Sequence, residues 1–314
     1  MHFLPTDEQR ELQRGVRELL DARFPLEKLP VGFDEAVWQA LAETGLFALR
    51  TELDLGLADA VLVVEEIGRA CLPGPLVGTM LAAGLATASP GAGPVTVVDT
   101  ADSPLLASHL DVAASVLVLD GDTARLCPAS AVAGTPVTEP VDPLTPLHEL
   151  GELPAADTIA KGSDVAGLRR DGTVLTAALQ VGIAARLTEL AVGYAKQREQ
   201  FGRTIGSFQA VKHLCADMFV RTELARVAVH AAAVTCDDEA AGDAGVDDAA
   251  RAVAGAKLLA DEAATVNGRS SVQVHGGMGF TWEVPVHYFL KRAWVHATEF
   301  GTVDEHAEAL AELV

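Results

Sequence analysis

The chain reads as mainly α-helical, with a small β domain set between two helical zones. Three observations carry that reading. Alanine, leucine and valine supply most of a 49% hydrophobic content, while aromatics make up only 5%, a balance suited to closely packed helices. Apolar residues recur at steps of three and four near both ends of the chain. Between these zones lies a stretch rich in proline, glycine, threonine and valine, with short β-branched runs. The division expected is 1–88 helical, 89–170 a reduced β domain, and 171–314 a helical bundle.

The elements follow in order. Thr6 caps a first helix, with Gln9 three residues on as its capping-box partner, and Leu12, Val16, Leu19 and Leu20 form its apolar stripe. Phe33 to Leu46 and Ala58 to Ala70 are two further helices, with Gly45 and Gly68 near their ends as stop signals. Pro73 and Pro75 break the chain before a short helix from Leu76 to Ala86. Residues 94–100, 113–127 and 132–137 predict short, antiparallel strands, with Asp120-Gly121-Asp122 as a hairpin turn. Leu144 to Ile159 reads as a less regular return path. Asp171-Gly172-Thr173 supplies start signals for a long helix whose face carries Leu175, Leu179, Ile183, Leu187, Leu190 and Tyr194. Phe208 to Cys236 and Ala249 to Ser271 predict two more helices. The acidic stretch from Asp237 to Asp248 between them predicts a solvated loop.

Composition excludes several function classes. Acidic residues outnumber basic ones 44 to 23, for a formal net charge of −21. Such a chain repels phosphate backbones and anionic membrane surfaces, so neither nucleic acid nor a membrane is an expected partner. The four cysteines (Cys71, Cys127, Cys215 and Cys236) form no C-x-x-C pair, so buried free thiols are expected rather than a zinc site or a redox dithiol. No apolar signal segment opens the chain, and no run of about 18 apolar residues is present. A reducing cytoplasm is the expected compartment.

Two runs carry chemistry. In YAKQREQFGRTIGSFQAVKHLCADM, from Tyr194 to Met218, the Arg198 guanidinium lies beside a glycine-containing turn, a setting that holds phosphate bidentately. Phe201 and Phe208 are placed to flank a planar ring. Taken alone, an R-x-x-F-G run is most often a surface arginine near a helix cap. In QVHGGMGFTWEVPVHYFLKRA, from Gln273 to Ala293, three glycines in four positions strip side chains where something must come close, and freed backbone N–H groups there can cradle an anion. Alone, this too reads as a plain turn. His275 reads as a structural or solvated loop histidine.

Together, in residue type, order and spacing, the two runs resemble the acyl-CoA dehydrogenase family. The resemblance runs without gaps from Gln273 through Thr302. It extends more loosely to FDEAVWQALAETG at Phe33–Gly45 and to Glu65-Glu66-Ile67-Gly68-Arg69. It implies an N-terminal helical domain, a middle β domain and a C-terminal four-helix bundle. The activity implied is α,β-desaturation of an acyl-CoA thioester: a carboxylate removes the α-proton and the β-hydrogen leaves as hydride to FAD. By resemblance, Arg198, Gln200, Phe201, Phe208, Gln273, Gly276 and Gly277 contact the FAD of a neighbouring subunit.

Two departures shape the functional expectation. The family's catalytic glutamate, just before a Gly-Thr pair, falls at Phe300, which cannot accept a proton; the family's alternative position falls at Gly172. Asp171 and Glu299 stand one residue from these sites, and a one-residue step on a helix turns a side chain by about 100°. The β zone is also short, without the threonine-rich, glycine–serine loop or the tryptophan–threonine strand that touch the flavin ring in the family. Ring cradle and base are lost together, whereas residues directed at a neighbour's cofactor are kept. The expected role is the non-catalytic subunit of an α2β2 heterotetramer, similar to those of actinobacterial steroid degradation. A second dehydrogenase subunit would supply the base, with electron-transfer flavoprotein as acceptor. Two alternatives are a self-sufficient enzyme using Asp171 or Glu299, and a flavin-free scaffold or acyl-CoA-binding module.

Overall fold

A computed structural model describes residues 3–53, 55–85 and 93–313. Helices α1 (Asp7–Arg23), α2 (Glu35–Glu43), α3 (Leu49–Glu52), α4 (Leu57–Ala70) and α5 (Leu76–Ala83) come first. Strands β1 (Val95–Asp99), β2 (Leu106–Ser108), β3 (Ser115–Asp120), β4 (Thr123–Pro128), β5 (Gly134–Pro136), β6 (Leu147–Leu150) and β7 (Thr158–Lys161) follow. Then come α6 (Ser163–Gln197), β8 (Glu199–Gln200), β9 (Arg203–Thr204), α7 (Gln209–Ala240), α8 (Val246–His275), α9 (Val286–His296) and α10 (Val303–Glu312). The fold is mainly helical with a small β region, as composition predicts.

The chain forms two compact units, each gathered from separate segments. One holds Met1–Leu29, Leu57–Leu72 and Thr173–Val314; the other holds Pro30–Gly56 and Pro73–Gly172.

In the first unit, α1 opens on the capping box expected, Thr6 with Gln9. It is fixed to α4 by Arg17, whose guanidinium donates to both carboxylate oxygens of the buried Glu66 at 2.7 and 2.6 Å. Helix α6 is buried on nearly all sides rather than along one face. It is long and apolar enough to cross a membrane by length and composition, but 78% of its most apolar window is buried inside the protein. Its crossing with α4 is made by two glycines. A Cβ at Gly182 would fall on the Glu65 carbonyl oxygen, and one at Gly68 would lie 2.8 Å from the Leu179 Cα. Gly68 is therefore not the stop signal expected. It sits inside α4, and the helix ends beyond it at Cys71, where φ is 53°. Asn267 of α8 joins three helices: its amide donates to the Met218 carbonyl at 2.9 Å and the Thr222 hydroxyl at 3.0 Å, and lies 3.3 Å from the Thr188 hydroxyl.

The acidic stretch after α7 also differs from expectation. Helix α7 continues to Ala240, and the Asp237 carboxylate accepts from the Leu57 and Ala58 backbone N–H groups at 2.8 and 2.9 Å. It thereby caps the start of α4, satisfying donors that a helix N-terminus leaves free.

In the second unit, α5 packs on a four-stranded sheet ordered β1-β3-β4-β7, beside a three-stranded sheet ordered β2-β6-β5. The expected turn at Asp120-Gly121-Asp122 joins β3 to β4, with Gly121 at φ 57°. The region is not wholly antiparallel: β1 pairs parallel to β3. The reason is the crossover between them, residues 100–114, which contributes β2 to the other sheet before returning. Residues 144–159 are more regular than expected, since they carry β6 and the start of β7. A core of Val98, Ala107, Val116, Val118, Cys127, Val132 and Leu150 forms here. The helix now numbered α6 begins at Ser163, eight residues before the Asp171 start signal. Its early turns are held to the sheet by Arg169, which donates to Asp99 at 2.5 Å and to the Gly121 carbonyl at 2.7 Å. The expected end of the α5 helix, Ala86, lies outside the described residues. Cys71, Cys127 and Cys236 are buried free thiols, and Cys215 is half-buried.

Candidate functional site

The two motif runs meet at one end of the first unit. Helix α6 ends at Gln197 and the chain turns at once into a two-stranded ribbon, β8 paired with β9 in register Gln200↔Arg203 and Glu199↔Thr204. The two-residue turn is Phe201-Gly202, with φ of 55° and 75°. Positive φ at both positions is the type I′ geometry that suits the twist of a hairpin. The Ile205 N–H donates to the Arg198 carbonyl at 2.7 Å, which extends the ladder to Arg198. Arg198, Gln200, Phe201 and Gly202 are all exposed, Phe201 to 91%.

Phe208 precedes α7, half-buried. It does not face Phe201 across a ring-sized gap. The two rings lie 6.1 Å apart at 83°, edge to face, and the Arg203 guanidinium sits 4.1 Å over the Phe208 ring. A parallel sandwich around a planar ligand is absent between these two rings.

The second run sits beside the first because Tyr194 of α6 stacks on His275 of α8, with ring centroids 4.3 Å apart. His275 is helical and buried, not in a loop. Burial pushes its imidazole below the usual range, opposed by the Ser271 carbonyl 2.8 Å from Nδ1. The neutral ring donates from Nδ1 to that carbonyl and acts as a strut between α6 and α8. Gln273 is on the exposed side of the last turn of α8. Gly276 follows with φ 59° and ψ −139°, a conformation that excludes nearly every other residue. A Cβ at Gly276 or Gly277 would meet nothing within 4 Å, so this backbone faces open space. By contrast, Gly279 is packed, its missing Cβ 2.8 Å from the Val272 carbonyl oxygen.

The Phe300-Gly301 turn, where the family resemblance leads one to expect a glutamate, is rigidly built. Phe300 is left-handed, at φ 55°, and Gly301 follows at φ 102°. The Phe300 carbonyl accepts from His306 Nε2 at 3.0 Å and from the Thr173 hydroxyl at 3.4 Å. Lys257, fully buried on α8, donates to Asp261 at 2.5 Å and to the His296 carbonyl at 3.1 Å, and lies 3.5 Å from the Gly301 carbonyl. Gln180 of α6 donates to Asp261 at 3.0 Å and to the Ala293 carbonyl at 2.9 Å. Burial raises the Asp261 carboxyl, with Lys257 opposing. Burial also lowers His306, and Lys257 lowers it further. The turn is thus held by side chains that capture its backbone carbonyls.

Neither neighbouring carboxylate is free. Asp171 is buried in α6 and paired with Arg50 at 2.6 Å, with Arg170 3.4 Å away. Glu299 is half-buried and accepts from His296 Nδ1 at 2.7 Å. Burial disfavours its charge, but His296, Lys257 and Arg292 outweigh that and hold it below the usual range. Gly172, the alternative base position, lies within α6. Two residues escaped the sequence reading, Arg203 and Lys257. A clue to Arg203 was its place across a Phe-Gly turn from Gln200. Lys257 gave none except Asp261 four residues on. Among the described residues, no group of three His, Cys, Asp or Glu side chains is placed to hold a metal.

Comparison with known proteins places this geometry. Residues 6–90 match the N-terminal domain of acyl-CoA dehydrogenases and residues 171–314 match the C-terminal domain. The acyl-CoA dehydrogenase IpdE2 of Mycobacterium tuberculosis is 38% identical over 280 residues, covering 83% of this chain and 81% of that protein. The structure is similar to one in the ChsE4-ChsE5 complex of M. tuberculosis, with a TM-score of 0.81 and 22% identity over 99% of this chain and 98% of that one. It is equally similar to one in the Tcur3481-Tcur3483 steroid ACAD, with a TM-score of 0.81 and 24% identity over 98% and 97% of the two chains. The chain belongs to the acyl-CoA dehydrogenase family, FAD-dependent oxidoreductases that act on CH–CH bonds.

Proposed function

We propose that this chain is the base-lacking subunit of a heteromeric, FAD-dependent acyl-CoA dehydrogenase that desaturates an acyl-CoA thioester between Cα and Cβ. A second dehydrogenase subunit in an α2β2 assembly supplies the carboxylate base. The carrying observation is the contrast within one unit. Phe300 stands where the family's base is expected, and the adjacent carboxylate, Glu299, is committed to His296, while Arg198, Gln273 and the open glycines stand exposed.

The residues present fit the dinucleotide end of FAD. Gly276 and Gly277 expose backbone that no side chain of the chain covers, and an arginine with two glutamine amides supplies the donors that a pyrophosphate takes. Arg198, Gln200, Gln273, Gly276 and Gly277 would hold the phosphates, with Phe201 and Phe208 beside the adenosine end. The chemistry supplied by bound flavin is acceptance of the substrate β-hydrogen as hydride. This chain's own part is to bind and orient. Phe300, its backbone fixed in the turn, puts at the expected base position a side chain that cannot take a proton.

Steroid-derived acyl groups are the proposed substrate class, supported by the steroid ACAD among the structural neighbours. Two neighbours are two-component assemblies by name, which supports a heteromeric partner. Electron-transfer flavoprotein as acceptor, a cytoplasmic setting, and the division 1–88, 89–170 and 171–314 complete the proposal.

The test is expression with and without a candidate partner dehydrogenase chain that carries an intact glutamate before Gly-Thr. The isolated chain should be colourless, and the co-expressed complex should carry flavin and desaturate an acyl-CoA. A yellow, active homo-oligomer purified alone would overturn the proposal. A second reading, a displaced base, is favoured only by Glu299, which stays charged one residue from Phe300. Glu299→Gln and Asp171→Asn in the active complex separate the two: unchanged rates for both eliminate it.

A further inference from the structure

The β8–β9 ribbon sorts its charges by face. Side chains alternate along a strand, and directly paired residues share a face. With Gln200 opposite Arg203 and the ladder extended to Arg198, the residues Arg198, Gln200 and Arg203 fall on one face. Glu199 and Thr204 fall on the other. The acid of the ribbon is therefore kept off the face that holds both arginines.

Among the described residues, no carboxylate or carbonyl takes a hydrogen bond from the side chain of Arg198 or Arg203. Arg17, Arg69, Arg169 and Arg226 are all paired with acids. Two cations held as diagonal neighbours on one face repel each other. The geometry does not let Arg203 swing away freely, because its guanidinium is stacked on Phe208 at 4.1 Å. Lying over the Phe208 ring takes up no hydrogen-bond donor of the guanidinium, so its N–H groups stay available to an anion. The Phe201-Gly202 turn fixes the spacing of the two strands that carry the pair.

We infer that Arg203 is a second anion contact at the cofactor site, acting with Arg198 to match the two negative charges of a pyrophosphate. This rests on the proposed FAD-completing role and deepens it: the ribbon is a two-cation clamp in which Phe208 serves to hold Arg203 in place. FAD and coenzyme A both contain a pyrophosphate. We assign the clamp to FAD, because Gln200 lies on the same ribbon face and Gln273 and the open Gly276 backbone stand at the same end of the bundle.

The experiment uses the co-purified complex with the partner subunit. FAD affinity is measured by flavin fluorescence for wild type, Arg203→Gln, Arg203→Lys and Arg198→Gln, at low and high salt, with coenzyme A affinity measured alongside. Loss of one charge-assisted contact should weaken FAD binding about tenfold in Arg203→Gln, with the lysine variant recovering part of the loss. The salt dependence of FAD binding should be shallower in Arg203→Gln than in wild type, since one charge pair fewer is screened. Coenzyme A affinity should not move. Unchanged FAD affinity in Arg203→Gln, with a clear loss in Arg198→Gln, would overturn the clamp and leave the proposed function standing. A fall in coenzyme A affinity instead of FAD affinity would also overturn it. A complex that holds no flavin in any form would refute the proposed function itself.

Discussion

Replacing Gly182 by alanine tests how the first unit is held together. The added Cβ would fall on the Glu65 carbonyl oxygen, 2.5 Å from the Arg69 nitrogen and 2.9 Å from the Gly68 carbonyl carbon. These are backbone atoms of α4, so no side-chain rotation relieves the overlap. Helices α4 and α6 would have to separate by roughly an ångström, loosening contacts along a helix that is buried from Leu57 to Gly68. Overpacking of this kind costs up to about 3 kcal/mol, against roughly 1 kcal/mol gained from alanine's helix propensity. Gly193 is the internal control. It lies on the same helix, and a Cβ there meets nothing within 4 Å, so Gly193→Ala should stabilise by about 0.5–1 kcal/mol. The two variants should differ by about 3 kcal/mol, or roughly 6 °C or more in melting temperature at about 2–4 °C per kcal/mol. Thermal and urea unfolding followed by circular dichroism measure this directly. Equal stability of the two variants would show that the glycine crossing does not limit helix approach.

Three further outcomes follow from the same unit. Lys257→Met should cost about 3–5 kcal/mol, because it leaves Asp261 buried without its cation; the double variant Lys257→Met/Asp261→Leu should recover much of that in urea unfolding. Asp237→Ala should cost about 1–2 kcal/mol by uncapping α4, a loss seen as a lower denaturation midpoint with an unchanged slope. His306 is held below its ordinary value when folded, so the unfolded chain binds its proton first and stability falls as pH drops through about 6.5. His306→Gln should therefore show a shallower loss of stability between pH 7.5 and 5.5 than the parent chain, and equal slopes would count against a neutral, half-buried ring.

Local chemistry was legible from sequence wherever its partner was also local. The Thr6–Gln9 capping box and the Asp120–Asp122 turn lie within four residues of everything that decides them. Gly68 was misread because a glycine near a helix end looks the same whether it ends the helix or makes room for another. What decides the matter is Leu179, on a different helix. The start of α6 was misplaced for a related reason. Asp171 resembles a cap locally, but burial and its ion pair with Arg50 keep it inside the helix. Strand patterns show that a segment is extended but not which neighbour it takes, so the parallel β1–β3 pairing was out of reach. At the candidate site, Arg198 and Gln273 are singled out by motif alone. That their two runs lie side by side shows in the Tyr194–His275 stack, which only the folded chain reveals. Lys257 gives no sequence signal of its burial, because its ammonium is held by Asp261 together with carbonyls from a distant part of the chain.

The segmented make-up of the first unit has a consequence for synthesis. Helix α4 finds its neighbours in residues made much later: Gly68 packs on Leu179, Glu65 pairs with Arg226, and the cap of the helix is Asp237. At about 5–20 residues per second, α4 emerges on the order of ten seconds or more before its cap does. Until α6 is made, the surface of α4 that packs on it is left uncovered, while α1 is already joined to α4 by Arg17 and Glu66. The nascent chain therefore carries a sticky intermediate whose lifetime is set by translation rather than by folding speed. Slowing the ribosome between α4 and α7 should lower the yield of folded protein without any change in its sequence.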